Sequence, residues 1–371
     1  LAGIYLHIPF CRRKCHYCNF FSLASVKHLD LFPEIVIREA ELQRDYLQGA
    51  EVSTIYFGGG TPSMLPAGAV VQILDALRSN FTISPGAEIT LEANPDDLDA
   101  PKLLALRLAG INRLSIGIQS FHKADLDYLN RTHSPEHSMN VVRMAQDAGF
   151  TNISIDLIFG IPTLTDKRWE ENLDRAFSLG VPHISAYALT VESRTALEVM
   201  IRQGKASEPK DESSARQFGM LMQRMEANGY LQYEISNFCL PGFESRHNSS
   251  YWSGETYLGL GPSAHSYNGT ERRWNVNNLS EWITRTTAGE PCFESETLTP
   301  AQRHNEYVMT ALRTLGGCDL QRLAKLAGEE AAAEFAKRAR RYLDSGDLVC
   351  ENGIYRLSSH GKLFADGISA D

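Results

Sequence analysis

No stretch of this 371-residue chain approaches the roughly 18 consecutive apolar residues that a membrane-spanning helix needs. No signal-peptide pattern opens it at Leu1. Cysteine is scarce and odd in number, seven in all. Four of them, Cys239, Cys292, Cys318 and Cys350, are scattered singly. That pattern excludes a disulfide framework and suits small buried apolar residues in a reducing compartment, so a cytoplasmic location is expected. Positive charge is in deficit, with 36 Lys and Arg against 45 Asp and Glu and a net charge of −9. Such a balance gives no general attraction to nucleic acid or to an anionic membrane, and no nucleic-acid partner is expected. Peripheral membrane association and a homodimer stay open.

What is present is a repeated order of short β-rich runs and longer helical ones. The expected strands are Gly3–Pro9, Thr54–Phe57, Glu88–Ala93, Arg113–Ile118, Asn152–Ile158 and His183–Leu189. Helical spacing of apolar residues fills the gaps, as in Leu31–Leu47, Ser138–Ala148 and Arg168–Ser178. A β-then-α repeat implies a parallel sheet with right-handed crossovers. Six units suit an incomplete (β/α)6 barrel better than a closed eightfold one, and a doubly wound open sheet is the runner-up.

Parallel barrels carry chemistry at the C-terminal ends of their strands. Cys11 follows the first strand here, Gly58-Gly59-Gly60-Thr61-Pro62 the second, Glu92 and Asn94 the third and Gln119 the fourth, while the fifth carries Asp156. The loop after strand one holds Cys11, Cys15 and Cys18 at C-x₃-C-x₂-C spacing. Structural zinc sites normally take four protein ligands, and four-iron clusters usually take four cysteines. Three thiolates therefore suggest a cluster with one iron left for a non-protein ligand. Zinc with His7 or His16 as fourth ligand is the alternative. The glycine run lets backbone N–H and C=O groups approach a ligand closely, although an ordinary tight turn would read the same way.

The cysteine loop resembles that of the radical S-adenosylmethionine (SAM) proteins. The resemblance implies a [4Fe-4S] cluster on Cys11, Cys15 and Cys18, with SAM on the open iron and a 5′-deoxyadenosyl radical on its reductive cleavage. It narrows through Tyr5–Cys11, the Gly-Gly-Gly-Thr-Pro turn, Glu92, Gly117–Phe121, Asn130-Arg131 and Asp156–Gly160. Together these are similar to the branch that holds oxygen-independent coproporphyrinogen oxidase. Within that branch, positions matching Tyr5, Tyr17, Gly59, Gly60, Thr61, Glu92, Gln119, Arg131 and Asp156 line the cluster and SAM sites. One departure is local: the decarboxylating enzyme has a fourth cysteine two positions after the third, and Phe20 stands there in this chain.

A second motif is Arg246-His247-Asn248-Ser249-Ser250-Tyr251-Trp252, read as part of a loop. Alone it is weak, since a single loop histidine is more often structural. In this branch His-Asn-x-x-Tyr-Trp resembles the heme-binding motif of the radical SAM heme chaperones of the HemW type. That implies heme as cargo, His247 as its axial ligand, and His265 and Cys239 as weaker rivals. It also implies an electron donor and heme-accepting respiratory proteins as partners. The expected organisation is a partial barrel over 1–236, a heme-motif and connecting segment over 237–296, and a small winged-helix-like domain over 297–371. In that last segment Asn352-Gly353 marks a hairpin turn. Lys337, Arg338, Arg340 and Arg341 are expected to form a solvated helix face, balanced by Glu329, Glu330 and Glu334, rather than a DNA-binding one.

Overall fold

A computed structural model describes residues 1–371. Six strands carry the site: β1 (Ala2–Ile8), β2 (Val52–Gly59), β3 (Ile83–Ala93), β4 (Arg113–Gln119), β5 (Asn152–Phe159) and β6 (His183–Ala188). All six are parallel and neighbour one another in chain order. A doubly wound sheet would reverse its strand order at a switch point; this one does not, and the incomplete barrel is the architecture seen. The strands are near-continuous apolar runs because helices cover their outer face. Between them run α1 (Phe32–Leu42), α2 (Ala67–Asn80), α3 (Ala100–Ala109), α4 (Lys123–Leu129), α5 (Pro135–Asp147) and α6 (Asp166–Ser178). After β6 come α7 (Ala196–Arg202) and α8 (Asp211–Ala227).

Local sequence sets several boundaries. The Asp99 side chain accepts a hydrogen bond from the Lys102 N–H at 2.8 Å to start α3, and Gly110 ends it with φ +107°. In α1, Phe32, Ile35, Val36, Glu39 and Ala40 are the inward positions at helical spacing.

Residues 231–297 extend both edges of the barrel sheet. β7 (Leu231–Glu234) and β8 (Asn237–Cys239) form a hairpin, of which β8 lies antiparallel to β6. Next comes α9 (Arg246–Ser253), then β9 (Thr256–Leu260), which pairs parallel with β1. β10 (His265–Tyr267), β11 (Glu271–Asn275), α10 (Leu279–Ala288) and β12 (Phe293–Thr297) follow, completing a twelve-stranded sheet. The segment 246–252 expected as a loop is thus helical. Ser245 caps it by accepting from the Asn248 N–H, and Gly254 stops it at φ 71°. Gly259 and Leu260 belong to β9.

Two apolar cores are separate in sequence: one of 63 buried residues from Ala2 to Cys292, the other of 13 from Tyr307 to Ile368. The smaller holds α11 (Pro300–Leu312), β13 (Cys318–Asp319), α12 (Leu320–Ala327), α13 (Glu329–Asp344), β14 (Leu348–Glu351), β15 (Ile354–Leu357) and α14 (Ala365–Ala370). β14 and β15 turn at Asn352 and Gly353, whose φ values of 54° and 78° suit the hairpin expected there. Lys337 and Arg338 of α13 pair with Glu334, and Arg341 pairs with Asp371.

One buried acid ties α1 to the added strands. Glu39 is 2% exposed, and its carboxylate accepts from the Gly261 N–H at 2.7 Å, Asn275 Nδ2 at 2.6 Å and Trp282 Nε1 at 3.1 Å. Burial pushes its pKa up to about 7 in spite of these donors. A carboxyl raised in the fold binds its proton more tightly than in the unfolded chain. Its contribution is therefore neutral below the unfolded value near 4.5 and turns destabilising as pH rises through 4.5 to 7. We expect about 3 kcal/mol of stability to be lost over that window from this group. Urea unfolding at pH 5 and pH 8 should show a smaller difference between the two pH values for Glu39→Gln than for the parent; an equal difference would exclude Glu39 as a source.

Candidate functional site: a thiol-lined cavity at the strand ends

Loops after five successive strands close around one cavity. It is lined by Cys11, Cys15, Cys18 and Tyr17 from the first loop, Gly59, Gly60 and Thr61 from the second, and Glu92 and Asn94 from the third. Ser115, Gly117 and Gln119 from β4, Arg131 after α4 and Asp156 from β5 complete it. All three cysteines are free thiols. Burial raises the pKa of Cys11 and of Cys18, so the bare thiols resist ionising. Bound iron inverts that preference, because a coordinated thiol is deprotonated outright.

No group of three or more His, Cys, Asp or Glu gathers closely enough to hold a single metal ion. A cubane places each thiolate on a different iron, and three cysteines spread around a cavity wall fit that need. The donor set thus suits a cluster better than tetrahedral zinc.

The glycine turn is sterically fixed. A Cβ on Gly60 would lie 2.7 Å from the Phe10 carbonyl oxygen and 2.8 Å from that of Ile8. Gly59 holds φ +105°, and its Cβ would lie 2.8 Å from the His7 ring. The turn therefore packs directly against the cysteine loop. Thr61 Oγ1 donates to Cys11 Sγ at 3.4 Å.

Arg131 crosses the cavity. It donates to the Gly117 carbonyl at 2.5 Å, Asn94 Oδ1 at 3.3 Å and Cys15 Sγ at 3.6 Å, while its buried Nε has no partner. Two half-buried acids share the cavity with it. Glu92 accepts from Tyr56 Oη at 2.8 Å, and Asp156 from Ser115 Oγ at 3.1 Å. Burial pushes Glu92 up to about 7 and raises Asp156 as well. The cavity thus offers backbone amides, the guanidinium groups of Arg13 and Arg131, the Lys14 ammonium and two carboxyls, a set that can grip the amine, carboxylate and hydroxyls of an amino-acid nucleoside.

Of the residues expected here, Cys11, Cys15, Cys18, Tyr17, Gly59, Gly60, Thr61, Glu92, Gln119, Arg131 and Asp156 all line this cavity. Tyr5 does not; its hydroxyl meets His7 Nδ1 at 3.2 Å and its ring lines a different space. Ser115 was not singled out, although it shares the inward face of β4 with Gly117 and Gln119 by strand alternation.

His247 sits elsewhere. Its ring is fully buried at the opposite end of the barrel, where Gly3 leaves room for it; a Cβ on Gly3 would lie 3.3 Å away. Nδ1 is bonded to Thr54 Oγ1 and Nε2 to Tyr251 Oη, both at 2.8 Å. Burial lowers its pKa to about 3. As folded, neither ring nitrogen is free for iron, and the residue latches α9 to β2. His247 also stacks on Tyr56 at 4.9 Å between ring centroids, and Tyr56 bonds Glu92, so a column of contacts joins α9 to the thiol-lined cavity.

A larger space of about 820 Å³ opens between the barrel edge and α11 and α12. Tyr251 and Trp252 of α9, Tyr257, His265, Arg303 and Met309 are on its walls. Phe20, 63% exposed, borders both cavities.

Comparison with known proteins agrees with this geometry. Residues 5–176 match the radical SAM superfamily, and residues 298–364 match the HemN C-terminal domain. The heme chaperone HemW of Mycobacterium tuberculosis is 36% identical over 99% of this chain and 93% of its own. That of Bacillus subtilis is 33% identical over 99% and 98%. Among solved structures, coproporphyrinogen III oxidase (HemN) from Escherichia coli, described as a radical SAM enzyme, superposes with a TM-score of 0.86. It is 23% identical and the match covers 100% of this chain and 89% of that one, which establishes the shared fold.

Proposed function

Because the chain belongs to the HemW family of heme chaperones within the radical SAM superfamily, we propose that it binds heme and delivers it to acceptor proteins such as respiratory cytochromes. The single observation that carries this reading is the second space: Tyr251 and Trp252 of the His-Asn-x-x-Tyr-Trp segment face a cavity of about 820 Å³. That volume suits a sizeable organic ligand, and it leaves the thiol-lined cavity for the cofactors.

In this reading Cys11, Cys15 and Cys18 hold a [4Fe-4S] cluster. When bound, the cluster and SAM supply one-electron reductive chemistry. Gly59, Gly60 and Thr61 present backbone groups to SAM. Arg131 and Asp156 grip its charged ends, and Glu92, with Tyr56 bonded to it, and Gln119 hold hydroxyls. An electron donor and a heme acceptor are the partners this function requires, and the cytoplasm is its place. No helix is long and apolar enough to cross a membrane.

The family resemblance assigns iron ligation to His247. That ligation requires α9 to release its bonds to Thr54 and Tyr251. The competing reading is oxygen-independent coproporphyrinogen oxidation. Phe20 disfavours it, since the decarboxylating enzyme carries cysteine there. Anaerobic reconstitution decides between them: hemin titration should give a saturable Soret band, and coproporphyrinogen with SAM should give no protoporphyrinogen. Turnover of coproporphyrinogen without heme binding would overturn the chaperone reading.

A further inference from the structure

β4 ends irregularly where it meets the thiol-lined cavity. Gly117 pairs with Asp156 of β5 and Gln119 with Leu157, so two steps along β4 span one step along β5. This is a β-bulge, a device that re-aims a side chain. Leu157 packs in the apolar core, on the opposite face from Asp156, and a regular partner would follow it there. Gln119 lines the cavity instead. Its φ is +71°, and the Ser120 N–H donates back to the Ile118 carbonyl at 3.0 Å. Positive φ beneath an i→i+2 bond marks the rare, strained form of γ-turn. Gln119 is the one non-glycine residue of this cavity with positive φ. Gly117 makes the room for it: a Cβ there would lie 2.8 Å from Gln119 Nε2.

Such a turn persists only where its surroundings over-determine it. Before it, Arg131 donates to the Gly117 carbonyl at 2.5 Å, and buried His133 donates from Nε2 to the Ile118 carbonyl at 3.0 Å. After it, two side chains that do not line the cavity take hold. Asn172 of α6 accepts from the Phe121 N–H at 2.8 Å and donates from Nδ2 to Ser120 Oγ at 3.1 Å. Asp125 of α4 accepts from Ser120 Oγ at 2.7 Å, and its other oxygen accepts from Thr163 Oγ1 at 2.5 Å in the loop after β5. Asn172 and Asp125 are both 0% exposed. Asn172 shares the buried face of α6 with Trp169, Leu173 and Ala176, and its side-chain bonds all go to this one turn. An amide and a carboxylate buried so deeply are costly unless their bonds are made.

We propose that Asp125 and Asn172 are positioning residues, which clamp Ser120 and Phe121 so that Gln119 keeps its strained turn and aims its amide into the thiol-lined cavity. The inference rests on the reading that this cavity takes SAM, and it deepens that reading. Backbone strain is stored in the fold, and the clamp sets the direction of a ligand contact from outside the site.

The test joins urea unfolding of the apo chain to SAM calorimetry on the reconstituted full chain. Gln119→Gly and Gln119→Ala both remove the amide, and each should weaken SAM binding by roughly tenfold. They differ in strain: the glycine variant should unfold at the higher urea concentration, because only alanine resists positive φ. Equal midpoints, or the reverse order, would overturn the strained turn whatever SAM does. Asn172→Ala and the milder, isosteric Asp125→Asn should each weaken SAM binding by roughly fivefold or more in the parent chain. In a Gln119→Gly background the same two changes should alter SAM affinity by less than about twofold, since no amide is left to aim. A general loosening of the fold would act equally in both backgrounds. That result, or parental SAM affinity in both clamp variants, would overturn the proposal while keeping the SAM reading. No SAM binding by the parent chain would remove that reading and the clamp's purpose together, and the order of the two apo midpoints would still judge the strain.

Discussion

Anaerobically reconstituted Cys15→Ser should contain little iron and sulfide and lack the broad visible absorption of a four-iron cluster. In the proposed cluster each thiolate would carry one iron, so losing one would remove a corner that the other two cannot cover. Cys15 is half-buried on a loop, and its Sγ meets Arg131 Nη1 at 3.6 Å and the Tyr17 hydroxyl, contacts that a serine hydroxyl can also make, so the apo fold should change by less than about 1 kcal/mol. Cys350→Ser is the matched control: it is an exposed cysteine on β14, remote in the chain from the loop. Iron and sulfide analysis of both variants, with electron paramagnetic resonance of the reduced samples, reads the result. A full cluster in Cys15→Ser would take that residue out of the ligand set.

The second large effect belongs to Gly60. An alanine there would drive its Cβ against the carbonyl oxygens of Phe10 and Ile8 at 2.7 and 2.8 Å, and backbone oxygen cannot swing aside as a side chain can. The Gly60 N–H also donates to the Ile8 carbonyl at 2.7 Å, so displacing the turn breaks a bond as well. Gly60→Ala should lose about 1–3 kcal/mol of stability by denaturant unfolding. SAM binding measured by calorimetry on the reconstituted protein should fall below detection, because the turn and the cysteine loop move apart. Gly68→Ala gives the contrast. That glycine lies in the first turn of α2 with nothing within 4 Å of an added Cβ, and the substitution should stabilise by about 0.5 kcal/mol. Equal behaviour of the two variants would sink the steric account of the turn.

Much of the barrel was legible because its signals are local. Each of the six strands is a short apolar run that the chain must bury wherever it lies, and each ends in residues a strand interior would not keep. β2 shows this well, since Val52–Phe57 are buried and Gly58–Gly60 follow at once. The three cysteines lie within eight residues, so their meeting is a property of one loop. β9 to β12 were not legible in the same way. They are short, and β9 finds its partner β1 about 250 residues away, a pairing that no local period records. The helix α9 was readable in principle from Ser245 as cap and Gly254 as stop, but its polar composition hides it from a search for apolar periodicity.

The sequence by itself determined the order of the six barrel strands and the helices between them, the trio of thiols and the polar residues at the ends of the first five strands, because these follow from propensity, alternation and spacing within a few residues. Tertiary structure alone decided where rings and charges point. His247 turns inward because Gly3 leaves space beside Thr54, Tyr5 lines a different space from the thiols although their loop follows its strand β1 directly, and His265 stands uncapped on an added strand. Direction depends on neighbours brought in from far along the chain, and burial either satisfies a polar atom there or leaves it open for a ligand.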